Sequence, residues 1–184
     1  MRKSVGGPAQ ADAGGSGTGP MELCGGGDGW FLYYAYGSNL LRERLLLRNP
    51  SASLCALARL QDFKLEFGHH QGRTSSVWHG GTATIVQSPG DEVWGIVWKM
   101  NASNLSSLDK QEGVEDGIYG PIEVNVHTQA GKVLTCRSYQ MKDYVCGPPS
   151  PQYKKESTRL LLSDASPVYH RTSSGAARHC RLPT

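Results

Sequence analysis

The chain has 184 residues, of which 38% are hydrophobic, and its formal net charge is +3. This length suits one domain of ordinary size if the apolar residues are concentrated in one part of the chain. Residues 29–155 contain 13 basic and 11 acidic residues without a basic stripe, which argues against nucleic acid and membrane as partners and favours a small neutral or anionic ligand.

Residues 1–28 are predicted to form a disordered extension, because ten of the 23 glycines lie within residues 6–29 and almost nothing apolar lies between them. The chain shows neither an apolar run of signal-peptide length nor one long enough to cross a bilayer. These features predict a cytosolic location.

A strand, a turn and a helix start are predicted at residues 30–48. Aromatic and Leu residues dominate positions 30–36, as in a strand buried on both faces, and Gly37-Ser38-Asn39 then interrupt the pattern. A short helix over residues 40–48 follows, with Ser38 or Asn39 as its cap. The backbone N–H groups and the helix end would form a socket for a small anion, although an ordinary capped turn fits the same residues.

Four strands are predicted between residues 54 and 100. Residues 54–60 and 63–67 flank Gln61-Asp62, and residues 82–87 and 92–100 flank a Ser-Pro-Gly-Asp turn that is typical of a tight hairpin. The last of these strands is apolar on both faces, which predicts a central position. Residues 68–81 are polar and Gly-rich and are predicted to form a mobile loop.

The second half of the chain predicts one helix and another hairpin. The helix covers residues 103–110, with Asn101 or Ser103 as its cap, and the hairpin joins residues 119–128 to residues 132–141. A Pro-rich strap follows at residues 146–151. Because short turns link most neighbours, we predict an α+β domain over residues 29–155, a small, mostly antiparallel β-barrel of about six to seven strands with a few flanking helices.

No metal site is predicted. The five cysteines are odd in number and widely spaced, without a Cys-x-x-Cys pattern or a Cys/His cluster, and this usage indicates reduced thiols. His69, His70 and His79 lie in a polar segment without a carboxylate or cysteine at a ligand spacing, which is typical of solvated loop residues.

Glu112 is the candidate proton carrier beside the predicted socket. It follows the second helix and precedes Gly113, and a side chain there could reach into a cleft. A glutamate at the end of a helix is usually a surface residue, so the case for Glu112 depends on its context.

That context is a resemblance over residues 30–155 to the vertebrate gamma-glutamylcyclotransferase family. Four blocks carry it in the same order: Tyr33-Tyr34-Ala35-Tyr36-Gly37-Ser38-Asn39-Leu40, Pro89-Gly90-Asp91-Glu92-Val93-Trp94-Gly95, Leu108-Asp109-Lys110-Gln111-Glu112-Gly113 and Pro148-Pro149-Ser150-Pro151-Gln152-Tyr153. The resemblance implies an enzyme that converts gamma-glutamyl amino acids into 5-oxoproline and a free amino acid. It also implies a homodimer without a cofactor or metal, and it leaves glutathione open as a substrate.

The resemblance also implies roles for individual residues. It identifies Glu112 as the proton acceptor, and we expect burial by neighbouring Trp and Tyr residues to raise its pKa. It places the substrate on Tyr33, Tyr34, Ala35, Tyr36, Gly37, Ser38 and Tyr153, with Asn39, Leu40, Tyr119 and Tyr139 as further candidates. For Tyr119 and Tyr139 a place in the core fits the residues equally well.

Residues 156–184 depart from the family pattern. They are rich in Ser, Thr and Arg with one apolar cluster, where the family has an apolar segment and a charged helical stretch, and they are predicted to be a disordered tail. Three hypotheses follow: an active cyclotransferase, a non-catalytic module that binds a small ligand, and an isoform that folds poorly.

Overall fold

The computed structural model describes residues 28–74, 76–77 and 79–151. Six strands and two short α-helices make up the regular structure of this part of the chain. Single 3-10 turns at Ser38–Leu40 and Ala102–Asn104 precede the two helices. The strands and helices are β1 Trp30–Ala35, α1 Arg42–Leu46, β2 Ser53–His70, β3 Thr82–Asn101, α2 Leu105–Gln111, β4 Tyr119–Thr128, β5 Val133–Met141 and β6 Tyr144–Cys146.

Five of the strands close into a barrel. The order is β3-β1-β5-β4-β2, and β2 pairs back onto β3, while β6 lies on the other edge of β2. Every pairing is antiparallel except the one between β1 and β5, where Tyr33 lies beside Arg137. The predicted α+β class and mostly antiparallel barrel are therefore confirmed, with six strands.

The predicted hairpin at residues 88–91 is wrong. Both halves of β3 pair with the same strand, β2, with Gln61 opposite Glu92 and Phe63 opposite Gln87. Residues 88–91 therefore bulge out opposite Asp62, whose carboxylate accepts a hydrogen bond from the Gly90 N–H at 2.9 Å. The turn residues interrupt one long strand because the apolar positions on both sides of them belong to the same barrel wall.

The predicted loop at residues 68–81 is also wrong at its start. Gly68, His69 and His70 form the end of β2 and pair with β6. Gly68 permits this pairing because an added Cβ would clash with the Val145 carbonyl oxygen.

The first helix is shorter than predicted, and its predicted caps are wrong. Leu41 occupies the N-cap position of α1 with extended backbone angles, and no side chain caps either α1 or the preceding 3-10 turn. Asn39 is engaged elsewhere, since its amide bonds to side chains on α2 and β1. Asn101 caps the 3-10 turn that precedes α2, where its side chain accepts from the Ser103 N–H at 2.9 Å, whereas α2 itself begins after Asn104 without a side-chain cap.

The core has two layers, and the alternation of β1 divides its residues between them. Leu32, Tyr34 and Tyr36 belong to the cluster that fills the barrel interior. Tyr33 and Ala35 belong to a second cluster, outside the barrel, which packs beneath α1 and α2. Because consecutive side chains of a strand point to opposite faces, this alternation places Tyr33 next to the helices.

The cysteines differ in part from the expectation of reduced thiols. Cys136 is a free thiol in the barrel interior, and burial raises its pKa to about 12. Cys55 and Cys146 each take part in a disulfide bond, so the prediction is wrong for these two residues. Cys24 and Cys180 are outside the described residues.

Three other predictions also concern parts of the chain outside the described residues. They are the disorder of the N-terminal extension, the disorder of the tail and the role of Tyr153. Across the described ranges, no helix combines the length and apolarity that crossing a membrane requires.

Candidate functional site

A cleft of about 1060 Å³ opens where the end of β1 meets the end of α2. The turn after β1, the helix α1, the end of β2 and the start of β4 also contribute to its walls. Eight of the residues singled out in the sequence line it: Tyr33, Tyr36, Gly37, Ser38, Asn39, Glu112, Tyr119 and Tyr139.

Glu112 projects into this cleft from the C-terminal end of α2. Its backbone N–H bonds to the Leu108 carbonyl, and Gly113 then leaves the helix with a φ of 66°, a conformation that favours glycine. The Asn39 amide donates to Glu112 Oε1 at 2.7 Å, and the Tyr33 hydroxyl lies 3.5 Å from the same oxygen. Among the described residues, Glu112 Oε2 accepts no hydrogen bond, so one oxygen is held and the other is available.

The surroundings raise the pKa of Glu112 from its ordinary value of 4.5 to about 7. Burial is the largest cause, because it penalises the charged carboxylate. The positive charge of Arg44 and the hydrogen bonds from Tyr33 and Asn39 act in the opposite direction, and the negative charge of Asp109 adds to the increase. The pKa of Glu112 is therefore raised, as expected from the sequence. A carboxyl with this pKa can both accept and return a proton near neutral pH.

The turn after β1 presents backbone donors at the cleft wall. The carbonyls of Gly37 and Ser38 accept from the N–H groups of Leu40 and Leu41, at 3.0 and 3.3 Å. The N–H groups of Gly37, Ser38 and Asn39 donate to no described residue. The end of α1 does not contribute to the predicted socket, because α1 begins only after the extended Leu41, so the turn N–H groups are what is left of that prediction.

Tyr33 is held in place by an aromatic contact. Its ring packs edge-on against Tyr139, with the ring centroids 5.9 Å apart.

An ion pair between Arg137 and Asp109 lies next to Tyr139. The Tyr139 hydroxyl donates to Asp109, while Arg137 donates to both Asp109 oxygens, at 2.7 and 2.8 Å, and to the Tyr139 hydroxyl at 2.9 Å. This ion pair ties α2 to β5, so it also fixes the helix that carries Glu112.

Tyr119 and Tyr139 are both substantially enclosed. The Tyr119 hydroxyl donates to the Ala83 carbonyl at 2.6 Å and lies 3.0 Å from the Thr82 hydroxyl. Burial raises the pKa of both tyrosines well above the ordinary phenol range. Each phenol is therefore neutral, and both tyrosines combine a structural contact with a place on the cleft wall.

Three of the predicted residues do not line the cleft. Tyr34 is completely buried, and its hydroxyl donates to the Val93 carbonyl at 2.7 Å within the barrel. Ala35 and Leu40 are buried in the outer layer of the core. The strand alternation that brings Tyr33 to the cleft turns Tyr34 away from it, and Ala35, on the face of Tyr33, is enclosed in the outer layer. Any contribution of Tyr34 and Ala35 to binding must therefore come from the backbone.

The sequence interpretation missed five residues that act on the site. Asp109 lies three positions before Glu112, on the same face of α2, a helical spacing that could have identified it. Gln111 adjoins Glu112 in the sequence, but its contacts with Asn39 and Asn49 arise through tertiary packing. Asn49, Arg44 and Arg137 come close only through such packing, and no local pattern marks them.

The sequence resembles known proteins over its central part. A model of the AIG2-like family matches residues 92–159. The gamma-glutamylcyclotransferase of Bos taurus is 73% identical over 125 residues, which make up 68% of this chain and 66% of the bovine protein. The gamma-glutamylcyclotransferase of Homo sapiens is 65% identical over 138 residues, or 75% of this chain and 73% of the human protein. The chain thus spans about two thirds of the length of the bovine relative.

The fold resembles that of solved proteins. A structure of a gamma-glutamyl cyclotransferase is 55% identical and superposes with a TM-score of 0.73, covering 84% of this chain and 94% of the other. YkqA from Bacillus subtilis, at 21% identity and a TM-score of 0.59, shares the fold.

Proposed function

The chain belongs to the gamma-glutamylcyclotransferase family, and we propose that it converts gamma-glutamyl amino acids into 5-oxoproline and a free amino acid. In this reaction the substrate's own α-amine attacks its γ-carbonyl carbon. A C–N bond forms to close a five-membered ring, the carbonyl oxygen becomes negative, and the C–N bond to the departing amino acid then breaks.

Glu112 is the proton carrier in this proposal. Its open oxygen, Oε2, takes a proton from the α-ammonium and so frees the lone pair that attacks. The same oxygen then returns a proton to the nitrogen of the departing amino acid. Positioned acid–base help of this kind accelerates reactions by about 10²–10⁴-fold, and the pKa of about 7 suits both steps.

The turn at Gly37, Ser38 and Asn39 supplies the other part of the site. Its three N–H groups, which donate to no described residue, are suited to hold the substrate's α-carboxylate or the oxygen that becomes negative during attack. Tyr33 and Tyr36 border the turn and would contact the glutamyl chain, with Tyr153 as a further proposed contact. Holding the amine and carbonyl in reactive geometry is worth an effective molarity of about 10⁵–10⁸ M.

The single observation that carries this proposal is the position of the Glu112 carboxyl, held at Oε1 by Asn39, beside turn N–H groups that donate to no described residue. It predicts 5-oxoproline release from gamma-glutamyl-alanine with an acid limb in kcat/KM. The limb should lie near pH 7, because activity is lost as Glu112 becomes protonated below its raised pKa. A profile that stays flat from pH 5 to 9, or an absence of 5-oxoproline, would contradict the proposal.

Assembly and location form a second part of the proposal: a homodimer in the cytosol, as the family resemblance implies. Light scattering of the purified chain should give twice the monomer mass of 19.9 kDa, and a monomer would contradict the dimer. Fractionation of cells that express the chain should recover it in the cytosolic fraction, and its recovery from a secretory compartment would contradict the location.

A further inference from the structure

Three side-chain amides form a line that ends on Glu112. Asn49 Nδ2 donates to Gln111 Oε1 at 2.9 Å, Gln111 Nε2 donates to Asn39 Oδ1 at 2.8 Å, and Asn39 Nδ2 donates to Glu112 Oε1 at 2.7 Å. Asn39 and Asn49 are buried, and Gln111 is half-buried. We call Asn49, Gln111 and Asn39 the amide relay.

Asn49, the residue of the amide relay farthest from Glu112, determines which way the hydrogen bonds of the relay are donated. Asn49 Nδ2 also lies 3.4 Å from the Leu45 carbonyl oxygen, an atom that can only accept. The amino group of Asn49 therefore faces both Leu45 and Gln111, although this orientation leaves Asn49 Oδ1 buried without a partner in the part of the chain that the structure describes. Gln111 then accepts from Asn49 and must offer its own amino group to Asn39.

The near end of the relay defines the protonation site on Glu112. With Asn39 Oδ1 occupied by Gln111, the Asn39 amino group points at Glu112 Oε1 and at the Tyr33 hydroxyl, which lies 3.0 Å away. An oxygen that faces this donor cannot carry a proton toward it. These contacts therefore favour Oε2 as the oxygen that carries the proton of Glu112.

We propose that Gln111 and Asn49 are positioning residues, which hold the Asn39 amide so that Glu112 exchanges its proton through Oε2 alone. The expected effect on kcat/KM rests on the proposed cyclotransferase activity. The expected effect on the pKa of Glu112 does not. The three amides thus connect the end of α1, through α2, to the carboxyl at the cleft.

Other groups also act on Glu112 and are distinct from this path. They are Tyr33 from β1, Arg44 from α1, Asp109 from α2 and Tyr119 from β4. All four act on Glu112 directly, so their influence should survive a change at Asn49. A change in the pKa of Glu112 on substitution of Asn49 would therefore show that the amide relay acts on the carboxyl.

The test compares Gln111→Met and Asn49→Leu with Ser107→Ala in the full chain. Ser107 is a matched control, because its hydroxyl donates to the Arg48 carbonyl at 2.8 Å and so joins α2 to the same segment without touching the relay. NMR titration of the Glu112 carboxyl carbon and the pH dependence of kcat/KM provide two readouts, and only the second requires activity.

Loss of the relay should weaken the hydrogen bond that favours the charged carboxyl. For Gln111→Met we expect the measured pKa of Glu112 to rise by about one pH unit and kcat/KM at pH 6 to fall about tenfold, with KM nearly unchanged. Asn49→Leu should also raise the pKa of Glu112 and should lower kcat/KM at pH 6 by about threefold. Ser107→Ala should change neither the pKa nor kcat/KM.

An unchanged carboxyl titration in either folded relay variant would overturn the proposal, as would an equal shift in Ser107→Ala. If Gln111→Met does not fold, the carboxyl titration of Asn49→Leu tests the proposal. If the parent chain releases no 5-oxoproline, the cyclotransferase proposal fails, while the carboxyl titration still tests the relay.

Discussion

Glu112→Gln is expected to lower kcat for 5-oxoproline release from gamma-glutamyl-alanine by about 10²–10⁴-fold. The amide oxygen can still accept from Asn39, but the group that replaces Oε2 cannot take a proton from the substrate ammonium. Because the turn N–H groups and the tyrosines are unchanged, KM should change little. The measurement is steady-state kinetics at pH 8, where Glu112 of the parent chain is largely charged.

The control for this prediction is Glu115→Gln. Glu115 is an exposed glutamate that follows Glu112 by three positions, so the same chemical change should leave kcat within about twofold, as is usual for surface substitutions. A Glu112→Gln variant with kcat within threefold of the parent would remove Glu112 from the mechanism.

Glu112→Gln should not lose activity through unfolding. The pKa of Glu112 is about 7 in the folded chain and 4.5 ordinarily, so the folded chain binds the proton more tightly. Its contribution to stability is complete below pH 4.5 and is lost as the pH rises through 7. Glutamine does not titrate, so the urea midpoint of the variant at pH 8 should be no lower than that of the parent.

Trp98→Ala is expected to lower the free energy of unfolding by about 3–5 kcal/mol. Trp98 is 2% exposed and packs in the outer core layer with Leu45 of α1 and Leu108 of α2. Its indole N–H also donates to the Asn39 carbonyl at 3.2 Å, so the cavity would loosen both helices and the turn at the cleft. Urea unfolding followed by circular dichroism measures the loss.

Trp30→Ala provides the matched control for Trp98. Trp30 is 41% exposed at the start of β1, with the Lys99 ammonium 5.3 Å from its ring centroid. An exposed contact of this type is worth about 0.5–1 kcal/mol, so the control should cost about 1 kcal/mol. Equal losses for the two variants would show that Trp98 does not anchor the outer layer.

Local sequence patterns predict much of the fold and part of the site. The aromatic run before Gly37 predicts β1, Asn101 predicts the cap before α2, and Gly131 lies in the turn that joins β4 to β5. These features depend on neighbours within a few positions. The strand period also explains which side of β1 reaches the cleft, since Tyr33 and Tyr34 point to opposite faces.

Pairings between distant segments could not be predicted in this way. The Ser-Pro-Gly-Asp sequence at residues 88–91 has the composition of a hairpin turn, yet β2 pairs with both sides of it. The amide relay joins Asn49 and Gln111, which are 62 positions apart, and an isolated Asn and Gln carry no pattern that marks such a contact. The first feature follows from the pairing of β2 with β3 in the closed barrel, and the second follows from the packing of α1 and α2 on its outside.

The most direct test of the central claim measures turnover and binding on the same full-length preparation. We predict that the parent chain releases 5-oxoproline from gamma-glutamyl-alanine, and that the parent and Glu112→Gln both bind 5-oxoproline with similar affinity in calorimetry while only the parent turns over. A parent chain that binds 5-oxoproline but releases none from the dipeptide would contradict the account and identify a non-catalytic binding module.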